Sequence, residues 1–347
     1  MSDRRQDPTS PSNPEPSDPE AQEDLGLYLV ARGTSRAAER LTGILEEIDR
    51  AAVLLGELLA ESEPERRHLI EIQPRFQALQ LCELLLAKSR ESWFADAAAA
   101  VEMAELAVAT SGRLDTERYG ESLVEDVRAR AWACLGNALR ISSDLRRSEE
   151  ALSTAEEHNR QAGEDAYTSA EILSFEASLR NSQGRFEEAA ALLDTVIGVY
   201  REARDRHREG RALIKKGAAR SYSGQHSEAI RLVRRGLSKI DAFEEPRLLV
   251  SARHNLIGYL NESGRHEEAL RTLEETRGLY LQLGERAHLV RLRWLEGKIH
   301  RDLGHLTEAE AALREAREDL VEQGIAVDAA FVALDLAVVL LKRGDTA

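Results

Sequence analysis

Four glycines, Gly184, Gly224, Gly264 and Gly304, stand forty residues apart, and each opens the same short phrase. A glutamate and an alanine follow four and five residues later: Glu188-Ala189, Glu228-Ala229, Glu268-Ala269 and Glu308-Ala309. Self-similarity at a fixed period of this size marks a stack of structural units, each too small to bury its own apolar face. A chain built this way folds as a solenoid. Its long shared surface points to binding rather than to catalysis.

A second register reinforces the first. Seven residues before each turn stands Gly136, Ala177, Gly217, Gly297 or Ala337, with Ile257 as the exception. Nine residues after each turn stands Leu152, Leu193, Val233, Leu273 or Leu313. Ser143 and Gly344 extend the series of turns at either end. The pattern predicts two helices per repeat. A left-handed residue ends the first helix, and small side chains let the pair approach closely. The apolar ladder on the second helix then forms a continuous core between repeats. Ala, Leu, Glu and Arg, all strong helix formers, dominate throughout.

The small residue, the turn glycine and the later alanine resemble tetratricopeptide (TPR) repeats, from about Arg75 to Gly344. The usual unit has 34 residues. Here it is stretched to forty, similar to the long-helix forms of kinesin light chain and of bacterial regulator arms. The resemblance implies an all-α fold, a right-handed α-solenoid of antiparallel helix pairs.

The rest of the chain divides around this core. Residues 1–23 hold most of the prolines, with Ser, Asp and Glu, and are expected to form a disordered tail. Residues 24–74 are expected to supply capping helices. Residues 75–347 then form the solenoid, starting with a divergent pair, Arg75–Trp93 and Ala97–Thr110. The helix Ala326–Lys342 has no second helix after it. Its apolar residues, including Phe331, Leu334, Val338 and Leu341, leave three readings open: packing on the preceding repeat, a further domain, or a homodimer through this C-terminal helix.

Composition narrows the function. The net charge of −15 argues against nucleic acid as a direct partner. The start of the chain lacks the apolar core of a signal peptide, and the longest apolar stretches carry Glu102, Glu105 and Asp335. A cytoplasmic protein with no membrane partner is expected. Cys82 and Cys134, both in apolar helical surroundings, are expected to be reduced and buried.

Catalytic motifs fail on context. His300-Arg301-Asp302-Leu303 spells the start of a kinase catalytic loop, but Thr307 stands where that motif needs asparagine. The glutamate pairs Glu187-Glu188 and Glu267-Glu268 recur at one repeat position, so the repeat explains them. His300 and His305 flank a turn without a ligand set around them. No catalytic residue, cofactor or metal site is expected.

The TPR resemblance implies that first helices line a concave groove. Its positions lie thirteen, ten, six, three and two residues before each turn. They include Arg130, Asn137, Arg140, Arg211, His254, Asn261, Arg291, Trp294, Lys298 and Arg301. Six of the 25 positions carry Arg or Lys and three carry Asp or Glu, a basic strip on an acidic protein. Arg291, Lys298 and Arg301 share a face with Trp294, a set suited to an acidic or carboxylate-ended peptide. Ala133 stands where the family's carboxylate clamp needs lysine, so chaperone-tail binding does not carry over. The expected function is a noncatalytic protein–protein interaction scaffold. The alternative is a peptide- or effector-sensing regulator of a bacterial pathway.

Overall fold

The computed structural model describes residues 50–344, apart from 94, 284 and 285 and the side chains of 283–288. The expected tail, most of the expected cap and the last three residues lie outside this range. Among the described residues every regular element is a helix.

Helical residues 50–60 (α1) lead into α2 (Glu63–Ile72). Ser62 and Glu65 form a capping box at its start, with Pro64 in the first turn. A 3₁₀ turn over Pro74–Phe76 follows, then α3 (Leu79–Ser92) and α4 (Ala97–Ser111). The helix expected from Arg75 thus begins four residues later. Pro74 opens the 3₁₀ turn, and Ala78 remains extended (φ −111°, ψ 138°). Leu58, Ile70, Phe76 and Leu85 are buried together in the first section of core.

After a short α5 (Thr116–Tyr119), which the repeat pattern did not signal, the regular pairs begin. They are α6 (Glu121–Ile141) with α7 (Leu145–Ala162), α8 (Ala166–Ser182) with α9 (Phe186–Glu202), and α10 (Arg206–Tyr222) with α11 (His226–Leu237). Next come α12 (Pro246–Glu262) with α13 (His266–Leu283), and α14 (Arg286–Leu303) with α15 (Leu306–Glu322). The last helix is α16 (Ala326–Arg343), packed on α15. Aspartates start several of these helices: Asp144, Asp165 and Asp205 each accept a hydrogen bond from a first-turn amide.

The two sequence registers meet in space. A Cβ on Gly136 would lie 2.7 Å from Leu152 Cγ, one on Gly217 2.6 Å from Val233 Cγ2, and one on Gly297 2.7 Å from Leu313 Cγ. The glycine of these three first helices therefore receives the ladder residue of its own second helix. All five ladder residues are buried. Ile257 breaks the small-residue rule and is itself buried, and α12 and α13 touch more sparsely than the other regular pairs.

The turn glycines hold φ between 75° and 81°, and Ser143 takes the same left-handed conformation at 69°. The links between repeats also turn left-handed, at Glu164, Arg204 and Gly324. Gly163 precedes Glu164 and is itself left-handed, whereas no glycine marks the link at Arg204. Successive first helices touch one another along the array, with no comparable contact between successive second helices among the described residues. The first helices therefore line the inner side of the curve.

Cys82 and Cys134 are buried free thiols. Burial pushes both well above the ordinary thiol range. No described helix is long and apolar enough to cross a membrane.

Two substitutions test this packing. A Cβ at Gly224 would meet no atom within 4 Å, so the cost of Gly224→Val is chiefly the left-handed backbone. A loss of about 1–3 kcal/mol is expected in chemical denaturation. Gly217→Leu instead drives a side chain into Val233 and should cost as much or more, about 1–3 kcal/mol or beyond, by overpacking. Equal stability of either variant and wild type would show that the turn or the helix contact is misplaced.

Candidate binding groove

Contacts between neighbouring first helices recur at a spacing of 41 residues. Lys215 reaches Ser174, Ser221 reaches Glu262, Asn261 reaches Asp302, and Trp294 reaches Asp335. Each joins a groove position ten or three residues before one turn to the position nine or two residues before the next. Side chains along the inner face are thus decided pairwise, between repeats.

At the C-terminal end this pairing consumes the expected charge. Arg301 donates to Asp302 (2.8 Å) and to Asp335 on α16 (2.6 Å). These carboxylates hold its guanidinium above the usual range. Trp294 donates its indole N–H to the same Asp335 at 2.8 Å and packs partly buried against the last section of core. Asn261 is buried, donating to Asp302 and meeting His266 through its oxygen. His254 meets the Tyr280 hydroxyl at 3.0 Å. Arg291 is exposed and stands 3.9 Å from Asp328. Lys298 lines a shallow cleft with Asn261 and Arg301 and has no carboxylate in ion-pair range among the described residues. Of the four residues expected to act together, two are held by one aspartate that the groove positions did not include.

The other end, on α6, α8 and α10, differs. Arg130 is neutralised, with both terminal nitrogens on Glu83 (2.7 and 3.0 Å) and its Nε on Asp126 (2.9 Å). Arg140 is not. Its guanidinium bonds only the side-chain oxygen of the buried Asn137, at 3.0 and 3.1 Å. Burial pushes its pKa down. Arg211 is half-exposed and lies 3.7 Å from Glu245.

Lys215 sits between these groups and escaped the groove count by one position. Its amine donates to Ser174 Oγ (2.7 Å) and to the Ser174 carbonyl (3.3 Å), and lies 5.5 Å from the centre of the Phe175 ring. No carboxylate lies within ion-pair range of it among the described residues. Burial first, then the charges of Arg211 and Arg140, push it down to about 7, against a smaller opposing pull from Glu171 and Glu245. Tyr167 and Tyr200, 5.8 Å apart, and Phe175 line the same cleft of about 290 Å³. The only sequence signal for Lys215 was its place 41 residues after Ser174. Without knowledge of the contact, that spacing had no meaning.

The cleft can hold an anion. An entering carboxylate would supply the counter-charge that Lys215 lacks, in surroundings where charge-assisted hydrogen bonds are strong. Among the described residues no cluster of His, Cys, Asp and Glu could hold a metal. The rings of His300 and His305 lie 5.7 Å apart with no third ligand.

Lys215 makes stability depend on pH in a definite direction. Its folded value of about 7 lies below the ordinary 10.5, so the unfolded chain binds more protons between those values. Native stability should therefore rise with pH across that window, and below pH 7 the full penalty is present. In Lys215→Met this rise should vanish. Urea denaturation of both proteins at pH 7 and pH 9.5 measures it, and a constant difference between them would show that Lys215 titrates normally.

No protein-family profile matches this chain, and no curated protein matches it in sequence. Solved structures do resemble it. Aspartyl phosphate phosphatase F from Bacillus subtilis aligns at 14% identity and TM-score 0.58, over 81% of this chain and 70% of its own. A Rap protein in complex with competence and sporulation factor aligns at 13% identity and TM-score 0.56, over 82% of both chains. A signal-transduction ATPase with a tetratricopeptide repeat sensor, from Pyrococcus horikoshii, aligns at 14% identity and TM-score 0.51, over 86% of this chain and half of its own. At these identities the likeness establishes the fold: this chain is an α-solenoid of TPR-like helix pairs.

Proposed function

We propose that this chain is a noncatalytic scaffold whose inner face binds a protein or peptide segment bearing carboxylates. The observation that carries this reading is Lys215 in an aromatic-lined cleft beside Arg211, with no carboxylate in ion-pair range of its amine among the described residues. A carboxylate of the segment pairs with Lys215 and Arg211, and its apolar part packs on Phe175 and the tyrosines. Lys298 and Arg291 offer further cationic contacts toward the other end of the groove. Rigid, pre-formed helices keep the ordering cost of binding low. Residues 24–74 cap the front of the array, a reading supported by Leu58 and Ile70 joining its first core. We place the protein in the cytoplasm, with no direct nucleic-acid or membrane partner.

A regulatory use of the same groove is the second reading. It is favoured by the fold likeness to a Rap protein whose structure holds competence and sporulation factor. A bound segment would then alter contact with a separate output protein.

Fluorescence anisotropy with short acidic, neutral and basic peptides tests the first reading. Acidic peptides should bind, and basic ones should not. The double variant Arg211→Glu, Lys215→Glu should weaken acidic-peptide binding by roughly 100-fold, since a truncated buried charge contact costs about 2–5 kcal/mol. Indifference of the peptides to charge, or of binding to the double variant, would remove the cleft from consideration.

A further inference from the structure

Lysine is scarce in this chain. Of its 47 lysines and arginines only six are lysine: Lys88, Lys215, Lys216, Lys239, Lys298 and Lys342. Arginine stays charged wherever it is placed, whereas a lysine amine can give up its proton and become a nucleophile. Three of the six are held as ammonium ions by a carboxylate. Lys88 meets Glu91 and Lys216 meets Asp194, both at 2.6 Å, and Lys239 meets Glu209 at 2.8 Å. Lys342 is exposed, and Lys298 lies in the shallow cleft toward the other end of the groove. Lys215 alone combines an amine without a carboxylate partner among the described residues with an aromatic-lined enclosure.

The contacts of that amine suit its neutral form. An ammonium group has three N–H donors, whereas a neutral amine has two and a lone pair. Lys215 finds two oxygen acceptors, both on Ser174: the hydroxyl at 2.7 Å and the carbonyl at 3.3 Å. The neutral amine thus places both its donors on α8 and keeps its lone pair for another molecule. Burial disfavours the charged form, and Arg211 and Arg140 repel it more than Glu171 and Glu245 attract it, which brings the amine down to about 7. At pH 7.5 a large share of it is neutral, against about one part in a thousand of an ordinary lysine. A desolvated lysine beside another cation is the activated form of this nucleophile.

The cleft also selects what the amine meets. At about 290 Å³ it has room for a small molecule. Among the guanidinium groups lining it, Arg90 is held by Glu171 (3.1 Å), Arg130 by Glu83 (2.7 Å) and Arg208 by Asp205 (2.8 Å). Arg211 keeps only a long contact of 3.7 Å with Glu245. It stands four residues before Lys215 on α10, on the same helix face. Its fork of donors suits a phosphate group, and Phe175, Tyr167 and Tyr200 offer apolar surface to a short carbon chain. An acyl phosphate has both parts, with an electrophilic carbonyl carbon between them.

We infer that Lys215 is a site of acylation by small acyl phosphates. The neutral Nζ attacks the acyl carbon, and an amide C–N bond forms as the bond from that carbon to the phosphate oxygen breaks. Inorganic phosphate leaves with the electron pair of that bond, and the surplus proton on Nζ passes to water. The product has no charge at Nζ, so the cleft loses its central cation. This reactivity depends on the cleft alone and is measured without any peptide.

Acetyl phosphate is the probe. The full chain is incubated with it at pH 7.5, and acetylation of each lysine is followed by peptide mass spectrometry. Lys215 should react roughly tenfold faster than Lys298 and Lys342, its larger neutral fraction being partly offset by lower basicity. In concentrated urea the advantage should disappear. Lys215 reacting no faster than those two lysines, or keeping its advantage in urea, would overturn the assignment. Arg211→Met tests the anionic donor, with the uncharged ester N-acetoxysuccinimide as reference. The variant should lower the rate at Lys215 several-fold more with acetyl phosphate than with the ester. An unchanged ratio of the two rates would overturn the choice of a phosphate donor.

Discussion

The contact between a missing side chain and a large one sets the geometry of this protein. Gly136, Gly217 and Gly297 each take a leucine or valine from the paired second helix into the space a Cβ would fill. That contact holds the helices of a repeat close and in one register. The left-handed turn can then close in so few residues, and the next repeat finds the same surface to pack on. Where Ile257 fills the space instead, its pair touches less closely. Cores in repeat arrays are sums of neighbouring interfaces, so this local fit propagates along the whole stack.

The repeated scaffold carries an unrepeated electrostatic lining. First helices stand side by side on the inner face, and each groove residue meets a residue of the next repeat. Where evolution has placed an aspartate opposite a cation, as with Asp335 beneath Arg301 and Trp294, the charge is satisfied inside the protein. Where a serine stands opposite a lysine, as Ser174 does Lys215, the charge remains available and its burial is costly. A partly buried cation without a carboxylate partner in an aromatic cleft is a functional-site signal for this physical reason.

Much of the fold was legible in the residues. The turn glycines, the small residues and the ladder leucines are local signals. A left-handed turn and a 3.6-residue period leave the same mark in every repeat. The start of α3 was misjudged because Pro74 permits a 3₁₀ turn as readily as a helix start. The left-handed link at Arg204 was invisible, because an ordinary residue occupies a conformation that glycine usually announces. The groove was legible as a set of positions. Counting charge on those positions missed two residues that decide the lining: Lys215 lies one residue outside a counted position, and Asp335 lies on the last helix, whose positions were not counted; both are on the side that meets the preceding repeat.

The sequence by itself determined the repeat, its length and the helical pairs, all of which follow from periodicity along one chain segment; that first helices face the inner surface was what the TPR resemblance implied. Only the tertiary structure decided which cations are free. Ion pairing depends on side chains as far as 34 residues (Arg301 and Asp335) or 47 residues (Arg130 and Glu83) apart meeting within about 3 Å, and their encounter is fixed by the rise and twist from one repeat to the next. A one-residue shift in helical register turns a side chain by about 100°, enough to exchange a satisfied contact for an open one. Arg301 and Lys215 differ in this way, although both read in the sequence as basic residues on similar helices.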